Sequence, residues 1–98
     1  MELMKAYELE LELQRLRELR QGLELRIKEL EYAEGVITSR SERRIYRNFS
    51  DLLVEITKEE AIEHIERMRL ALKREIERLR KREKEIMEEL AKLRAPRS

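Results

Sequence analysis

The 98-residue chain contains no cysteine and no tryptophan, and it has only two glycines, one proline and one histidine. Without cysteine it forms no disulfide and no thiolate site, and a lone histidine supplies neither a nucleophilic dyad nor a zinc site. We expect that residue, His64, to be solvated on a helix. The sequence also has no glycine-rich phosphate loop. The chain is therefore predicted not to be an enzyme and to need no metal or cofactor.

Long apolar runs are also absent. No stretch approaches the ~20 residues that a membrane-spanning helix requires, and the acidic first residues do not resemble a secretory signal. The absence of cysteine fits a reducing compartment. We expect a cytoplasmic protein with no membrane partner.

Charge, by contrast, is abundant and balanced. Charged residues make up 46% of the chain and aromatic residues 4%, with 23 basic and 22 acidic side chains. Because the two signs are mixed along the sequence, we expect no strong field for nucleic acid. Glu, Lys and Arg are frequent, with two Gln and one Asn. This bias is typical of heat-adapted proteins and predicts a thermophilic source.

Two segments carry the heptad repeat of a coiled coil. The first is predicted as a helix over residues 3–33, with Gly35 as its C-terminal cap and residues 36–44 as a loop that contains a possible short strand at 36–38. Gly22, inside this helix, is interpreted as a tolerated weakness. The apolar stripe of this helix consists of Ala6, Leu9, Leu13, Leu16, Leu23, Ile27 and Leu30.

The second helix is predicted over residues 58–94, capped by Thr57 and Glu60 and ended by Pro96. Its apolar stripe consists of Ile62, Ile65, Leu72, Ile76, Leu79, Ile86, Leu90 and Leu93. Polar residues stand at three core positions of the two repeats, and they should cost stability while fixing the register. They are Arg20, Arg69 and Glu83.

Between the helices lies a segment of different composition, residues 44–56, in which two β-branched and aromatic runs flank Ser50-Asp51. This order predicts a β-hairpin. The whole chain is then a single mainly α domain, residues 1–98, in which one β-hairpin joins two antiparallel helices. Two strands alone are barely stable in water, so the hairpin should pair with strands of other chains. The residues assigned to this oligomerisation surface are Ile45, Tyr46, Phe49, Leu52, Leu53, Val54 and Ile56.

The chain resembles the β class of archaeal prefoldin subunits, or a short divergent paralogue of that class. The resemblance rests on Ile45-Tyr46-Arg47 opening the first strand, on Leu52 to Ile56 as the second, and on the helix that starts at Thr57-Lys58-Glu59-Glu60. It covers about residues 44 to 93, and the first helix agrees in its repeat. Family members usually have Gly where this chain has Ser50. The turn is therefore expected to differ in type, or the partner strand to sit differently.

The resemblance implies a hexamer of two α-type and four β-type subunits, whose hairpins form a β-barrel carrying six coiled coils. Family members hold unfolded polypeptides between the coiled-coil tips and deliver them to a group II chaperonin without ATP. The implied partners are an α-type subunit, further copies of the chain, unfolded polypeptides and the chaperonin.

Two surfaces are candidate sites. Both termini should lie at the tip remote from the hairpin, near Ile86, Leu90 and Leu93, and flexible methionines there suit varied apolar partners. The residues assigned to client contact are Leu3, Met4, Tyr7 and Met87. A basic cluster beside the hairpin, either a docking patch for an acidic partner or a solvated loop, consists of Arg40, Arg43, Arg44 and Arg47.

Two other functions stay open at this point. The chain is shorter than usual for the family, which favours a structural adapter that uses its hairpin to join another complex. Binding of nucleic acid through the basic cluster is the least favoured alternative.

Overall fold

A computed structural model describes residues 2–39 and 44–94 of the chain. It contains helix α1 (Glu2–Ser39), strands β1 (Ile45–Phe49) and β2 (Leu52–Ile56), and helix α2 (Lys58–Arg94). The radius of gyration is 20.3 Å, against about 13 Å for a compact domain of this length. With dimensions of 69 × 27 × 15 Å, the molecule is a rod in which the two helices pack side by side. The predicted fold, two long antiparallel helices joined by one β-hairpin, is confirmed.

The apolar core is the seam between the helices. Of the nine buried apolar residues, all but Ala61 lie at core positions of the predicted heptads. The most deeply buried is Ile86, with 0% of its surface exposed, and it packs with Leu9, Leu13 and Leu90 in the half of the rod remote from the hairpin. Spacing of 3.5 residues keeps one stripe of each helix facing the other, so the seam follows from the sequence.

One layer of the seam is ionic. Arg20 Nε donates to Glu83 Oε2 at 2.7 Å, and its Nη2 donates to Glu83 Oε1 at 3.1 Å. Glu83 is buried, with 4% of its surface exposed, and Arg17 also lies 3.8 Å from its carboxylate. Hydrogen bonds to Glu83 and then to Glu24 raise the pKa of Arg20 above its ordinary value. Two predicted polar core positions thus satisfy each other across the seam.

Further ion pairs cross between the flanks of the helices, with glutamates on α1 and arginines on α2. Arg82 binds both carboxylate oxygens of Glu12, at 3.0 and 3.2 Å, and this raises the pKa of Arg82. Arg80 donates to Glu24 at 2.8 Å. Hydrogen bonds from Arg80 and then Arg20 lower the pKa of the Glu24 carboxyl. Flanking pairs of this kind favour one relative orientation of two helices.

Arg69, the third polar core position, contacts two carboxylates of α1 without being fully satisfied. Its terminal nitrogens donate to Glu34 at 3.2 Å and to Glu31 at 3.3 Å, while its buried Nε has no hydrogen-bond partner among the described residues. This layer is therefore weaker than the Arg20–Glu83 layer, in which both Nε and Nη2 are bonded.

The predicted end of the first helix is wrong. The helix continues past Ala33 and Gly35 to Ser39, so residues 36–38 form no strand and Gly35 is not a cap. Gly35 has no positive φ, which a left-handed cap would require. Val36 and Ile37 are half-buried in the extra turn, and this burial offsets the helix penalty of glycine, about 1 kcal/mol.

The start of α2 is as predicted. Thr57 Oγ1 accepts a hydrogen bond from the Glu60 backbone amide at 3.1 Å and donates to the Glu60 carboxylate, also at 3.1 Å. Lys58 Nζ reaches the Thr38 carbonyl of α1 at 3.4 Å. The capped start of one helix and the end of the other are therefore linked beside the hairpin. Pro96, predicted to stop this helix, lies outside the described residues.

Candidate functional site

The β-hairpin has a two-residue turn. Phe49 pairs with Leu52 and Ile45 with Ile56, in antiparallel register, which leaves Ser50 and Asp51 as the loop. Ser50 has a φ of 52°, the only positive φ of a non-glycine residue in the described chain. A positive φ at the first loop residue alone is the sign pattern of a type II′ turn, for which glycine is preferred. Ser50 therefore stands at a position whose backbone favours glycine, in a two-residue turn.

The hairpin leaves apolar side chains on both faces. Arg47, Phe49, Leu52 and Val54 share one face, with Ile45 and Ile56 half-buried at its helix end. Tyr46 and Leu53 lie on the other face and are 51% and 69% exposed. A monomeric protein rarely leaves so dense a group of apolar side chains in water. All seven residues predicted for oligomerisation thus belong to this two-stranded sheet, and five of them are exposed in the single chain.

The basic cluster is divided in the structure. Arg40 and Arg43 lie outside the described residues. Arg44 lies 3.8 Å from the Glu55 carboxylate, and the Arg47 guanidinium lies over the Phe49 ring, 4.5 Å from its centre. The two described arginines therefore already have partners within the hairpin.

At the opposite end of the rod, three of the four residues predicted for client contact are exposed near the helix tip. Leu3, Met4 and Tyr7 have 86%, 69% and 64% of their surfaces exposed. Leu3 and Tyr7 border a shallow groove whose other wall includes Leu93 of α2.

Met87, the fourth predicted residue, lies in a different groove. Its sulfur is 3.5 Å from Arg17 Nη2, and Arg17 is ten residues beyond Tyr7, roughly 15 Å along the helix axis. The two grooves meet at Glu10 and Arg94, which form an ion pair and line both. The antiparallel register, unknown from the sequence, places Met87 away from the terminal group.

The second groove also contains residues that the sequence interpretation missed. Its floor is formed by Leu13, Leu90 and Ala91, and its α1 wall carries Gln14 and Gln21. Gln14 and Gln21 are seven residues apart and are the two glutamines of the chain. Each directly follows a core position of the repeat, outside the positions that flank the seam, so the repeat did not identify this pair.

Residues 2–39 and 44–94 contain one histidine, on α2. His64 is half-buried on α2, where solvation was expected. Those residues contain no cluster of three or more His, Asp or Glu side chains placed to hold a metal ion. Neither α1 nor α2, as described, has an apolar stretch long enough to cross a membrane.

Comparison with known proteins connects this architecture to one family. The family model described as "Prefoldin subunit" matches residues 1–96. The crystal structure of the prefoldin beta2 subunit from Thermococcus strain KS-1 is 77% identical, with a TM-score of 0.85, covering 94% of this chain and 99% of that one. The prefoldin beta subunit of the same strain is 26% identical, with a TM-score of 0.60, covering 97% and 91%. Thermococcus is a thermophilic archaeon, in agreement with the expectation from composition. No curated protein sequence matches significantly.

Proposed function

This chain belongs to the prefoldin subunit family, and from that premise we propose that it holds unfolded polypeptides at the coiled-coil tip of a hetero-oligomer. The family is one of non-enzymatic chaperones whose subunits assemble as hetero-oligomers. The proposal assigns assembly to the hairpin and client contact to the tip. The observation that carries it is the exposure of large apolar side chains at both ends of the rod, on either side of a well-packed seam.

The hairpin is suited to assembly because β1 and β2 pair only with each other among the described residues, and because both faces carry exposed apolar side chains. Val54 and Leu52, 42% and 68% exposed, would each gain roughly 1–2 kcal/mol from being covered. Additional strands would also satisfy the outward backbone groups of β1 and β2. We propose that an α-type subunit and further copies of this chain supply those strands.

The tip is suited to weak binding of many sequences. Leu3, Met4 and Tyr7 are 86%, 69% and 64% exposed, and each offers roughly 1–2 kcal/mol when an apolar group covers it. One tip alone would bind only transiently. Several tips in one assembly would hold a chain far longer, since a second contact is intramolecular once the first is made.

The test compares two triple variants of the assembled complex. Leu3→Ser/Met4→Ser/Tyr7→Ser removes the apolar tip, and Leu19→Ser/Leu25→Ser/Tyr32→Ser removes three residues of similar exposure on the shaft of α1. Suppression of aggregation of a chemically unfolded protein is the readout. We expect the tip variant to lose most activity and the shaft variant to keep it, with the mass of both assemblies unchanged.

The opposite ranking, or equal activity of the two variants, would refute the tip assignment. If the wild-type assembly forms but does not suppress aggregation, the adapter function is favoured instead.

We further propose that the assembly acts in the cytoplasm and passes its client to a group II chaperonin without ATP. This proposal is tested by adding such a chaperonin, without nucleotide, to a labelled client held by the complex. Transfer of the label to the chaperonin is expected. If the client leaves the prefoldin assembly only after ATP is added, the result would contradict the proposal.

A further inference from the structure

A strip of positive charge runs along the outside of α2. It comprises Arg74, Arg78, Lys81 and Lys84, hereafter the basic strip, all exposed. With Glu77 and Arg80 these residues line one shallow groove. They occupy outer positions of the heptad, so they face away from α1. The strip is distinct from both the hairpin and the tip.

Three of the four residues of the basic strip form no ion pair in the described part of the chain, although Glu85 and Glu88 lie one helical turn beyond Lys81 and Lys84. Arg80 and Arg82 flank Lys81 in the sequence, but their side chains reach across the seam to Glu24 and Glu12 of α1, respectively. The neighbouring acid Glu83 is buried against Arg20. Of the strip itself, Arg78 is paired with Glu75 at 2.6 Å, whereas Arg74, Lys81 and Lys84 form no ion pair with any described residue. Only Glu77 opposes them within the groove.

An apolar contact point adjoins the strip. Leu70 lies one helical turn before Arg74 on the outer side of α2 and is 51% exposed, and Ala71 beside it is exposed too. Leucine at an outer heptad position buries nothing in the seam. Next to cations that form no ion pair, it offers a short apolar anchor of the kind found at the centre of protein interfaces.

The charge spacing matches that of a helix. From Arg74 to Lys84 the strip spans ten residues, roughly 15 Å of helix axis. Its members recur every three or four residues, as carboxylates do on one face of an acidic helix. A continuous phosphate backbone fits less well, because Glu77 interrupts the strip.

The basic strip also lacks aromatic side chains, a second feature that binding of single-stranded nucleic acid requires. Single strands are held by stacking on aromatic side chains, and all four aromatic residues of the chain, Tyr7, Tyr32, Tyr46 and Phe49, lie on α1 or the hairpin.

We propose that the basic strip with Leu70 docks an acidic helical segment of another protein, with carboxylates at i, i+4 and i+7 and one apolar residue a turn away. Carboxylates of such a segment would lie over Arg74, Arg78 and Lys81, and its apolar residue would cover Leu70. This contact is independent of the tip, so it would recruit a partner without blocking the client surface.

The experiment measures binding of a fluorescent peptide with that spacing to the full chain, by fluorescence anisotropy at low and at physiological salt. Arg74→Glu/Lys81→Glu reverses two strip charges that the carboxylates of the peptide would contact, and Lys5→Glu/Lys28→Glu makes the same change in net charge at exposed lysines of α1. Exposed ion pairs contribute about 0.2–1 kcal/mol each, so reversal of two should weaken binding roughly tenfold. The α1 variant should bind like the wild type. Circular dichroism verifies that both variants remain helical.

Leu70→Ser separates docking from general attraction of charge. It leaves the charges unchanged and should weaken binding about threefold to tenfold by removing the apolar contact. Equal weakening by the two charge variants would overturn the proposal. So would equal affinity for a single-stranded oligonucleotide or polyphosphate of the same charge, or a peptide affinity that Leu70→Ser does not change.

Discussion

The buried ionic layer of the seam supports a quantitative prediction. Replacing Glu83 with Leu removes the acceptor of two hydrogen bonds from Arg20, at 2.7 and 3.1 Å. Breaking a fully buried pair costs about 3–5 kcal/mol. The Arg20 side chain is 19% exposed and keeps Glu24 at 3.0 Å, so the cost here should be smaller. We expect Glu83→Leu to lower the free energy of unfolding by about 2–3 kcal/mol.

The companion variant is Arg20→Leu/Glu83→Leu. It removes both charges together and fills the layer with apolar atoms, a change that is often neutral or stabilising by about 1–4 kcal/mol. The double variant should therefore be more stable than Glu83→Leu alone. The difference between their free energies of unfolding measures how much of the destabilisation by Glu83→Leu comes from leaving the Arg20 guanidinium without its partner.

The assay is unfolding in urea at elevated temperature, followed by far-ultraviolet circular dichroism at one fixed protomer concentration. Urea is chosen because guanidinium chloride would screen the ion pair. The single variants and the double variant complete a double-mutant cycle, for which we expect a coupling of at least about 1 kcal/mol. A Glu83→Leu variant as stable as the wild type would refute the reasoning, as would a double variant less stable than both single ones.

Three further predictions concern local features. Gly22→Ala should raise the free energy of unfolding by up to about 1 kcal/mol, because an added Cβ meets no atom within 4 Å; urea unfolding measures it, and a loss of stability would indicate close packing there. Ser50→Gly should raise the thermal midpoint, since relief of the positive φ, about 1–2 kcal/mol, exceeds the entropy cost of glycine, about 0.5–1 kcal/mol; a lowered midpoint would contradict the assigned turn. The pKa of the Glu24 carboxyl is lowered by Arg80 and Arg20 from 4.5, so its stabilisation is present above pH 4.5 and is lost as pH falls through the folded-state pKa. Glu24→Gln should therefore be less stable than the wild type at neutral pH and equal to it in strong acid, and thermal melts that differ by the same amount at both pH values would exclude this linkage.

Features encoded by local periodicity were predictable from the sequence. The heptads identify the seam because apolar residues at a 3.5-residue spacing must face one partner helix. The start of α2 was predictable to the residue because Thr57 and Glu60 form a reciprocal cap. Strand boundaries followed from the two β-branched and aromatic runs on either side of Ser50 and Asp51.

The end of α1 was not predictable in the same way. A glycine followed by Val-Ile-Thr is compatible with a cap and a strand, and local preference favours that structure. The structure instead extends the helix to Ser39, where Thr38 and Ser39 hydroxyls bond the carbonyls of Gly35 and Val36, both at 3.1 Å. Tertiary burial of Val36 and Ile37 outweighs the propensity of a single residue.

The candidate site was also predictable only in part. Heptad position shows which residues escape the seam, so the exposure of Leu3, Met4 and Tyr7 was predictable. The separation of Met87 from them was not, because it depends on the exact antiparallel stagger. That stagger is set by pairs between distant residues, such as Glu12 with Arg82, and a single helix repeat contains no such information.

Direct contact with the client tests the central claim most closely. A photo-reactive phenylalanine analogue is placed at Tyr7, at the tip, or at Tyr32, which is similarly exposed on the shaft of the same helix. Each assembled complex is irradiated with a labelled unfolded protein. We predict strong cross-linking from position 7 and little from position 32. Equal cross-linking, or a stronger signal from position 32, would contradict a client surface at the tip.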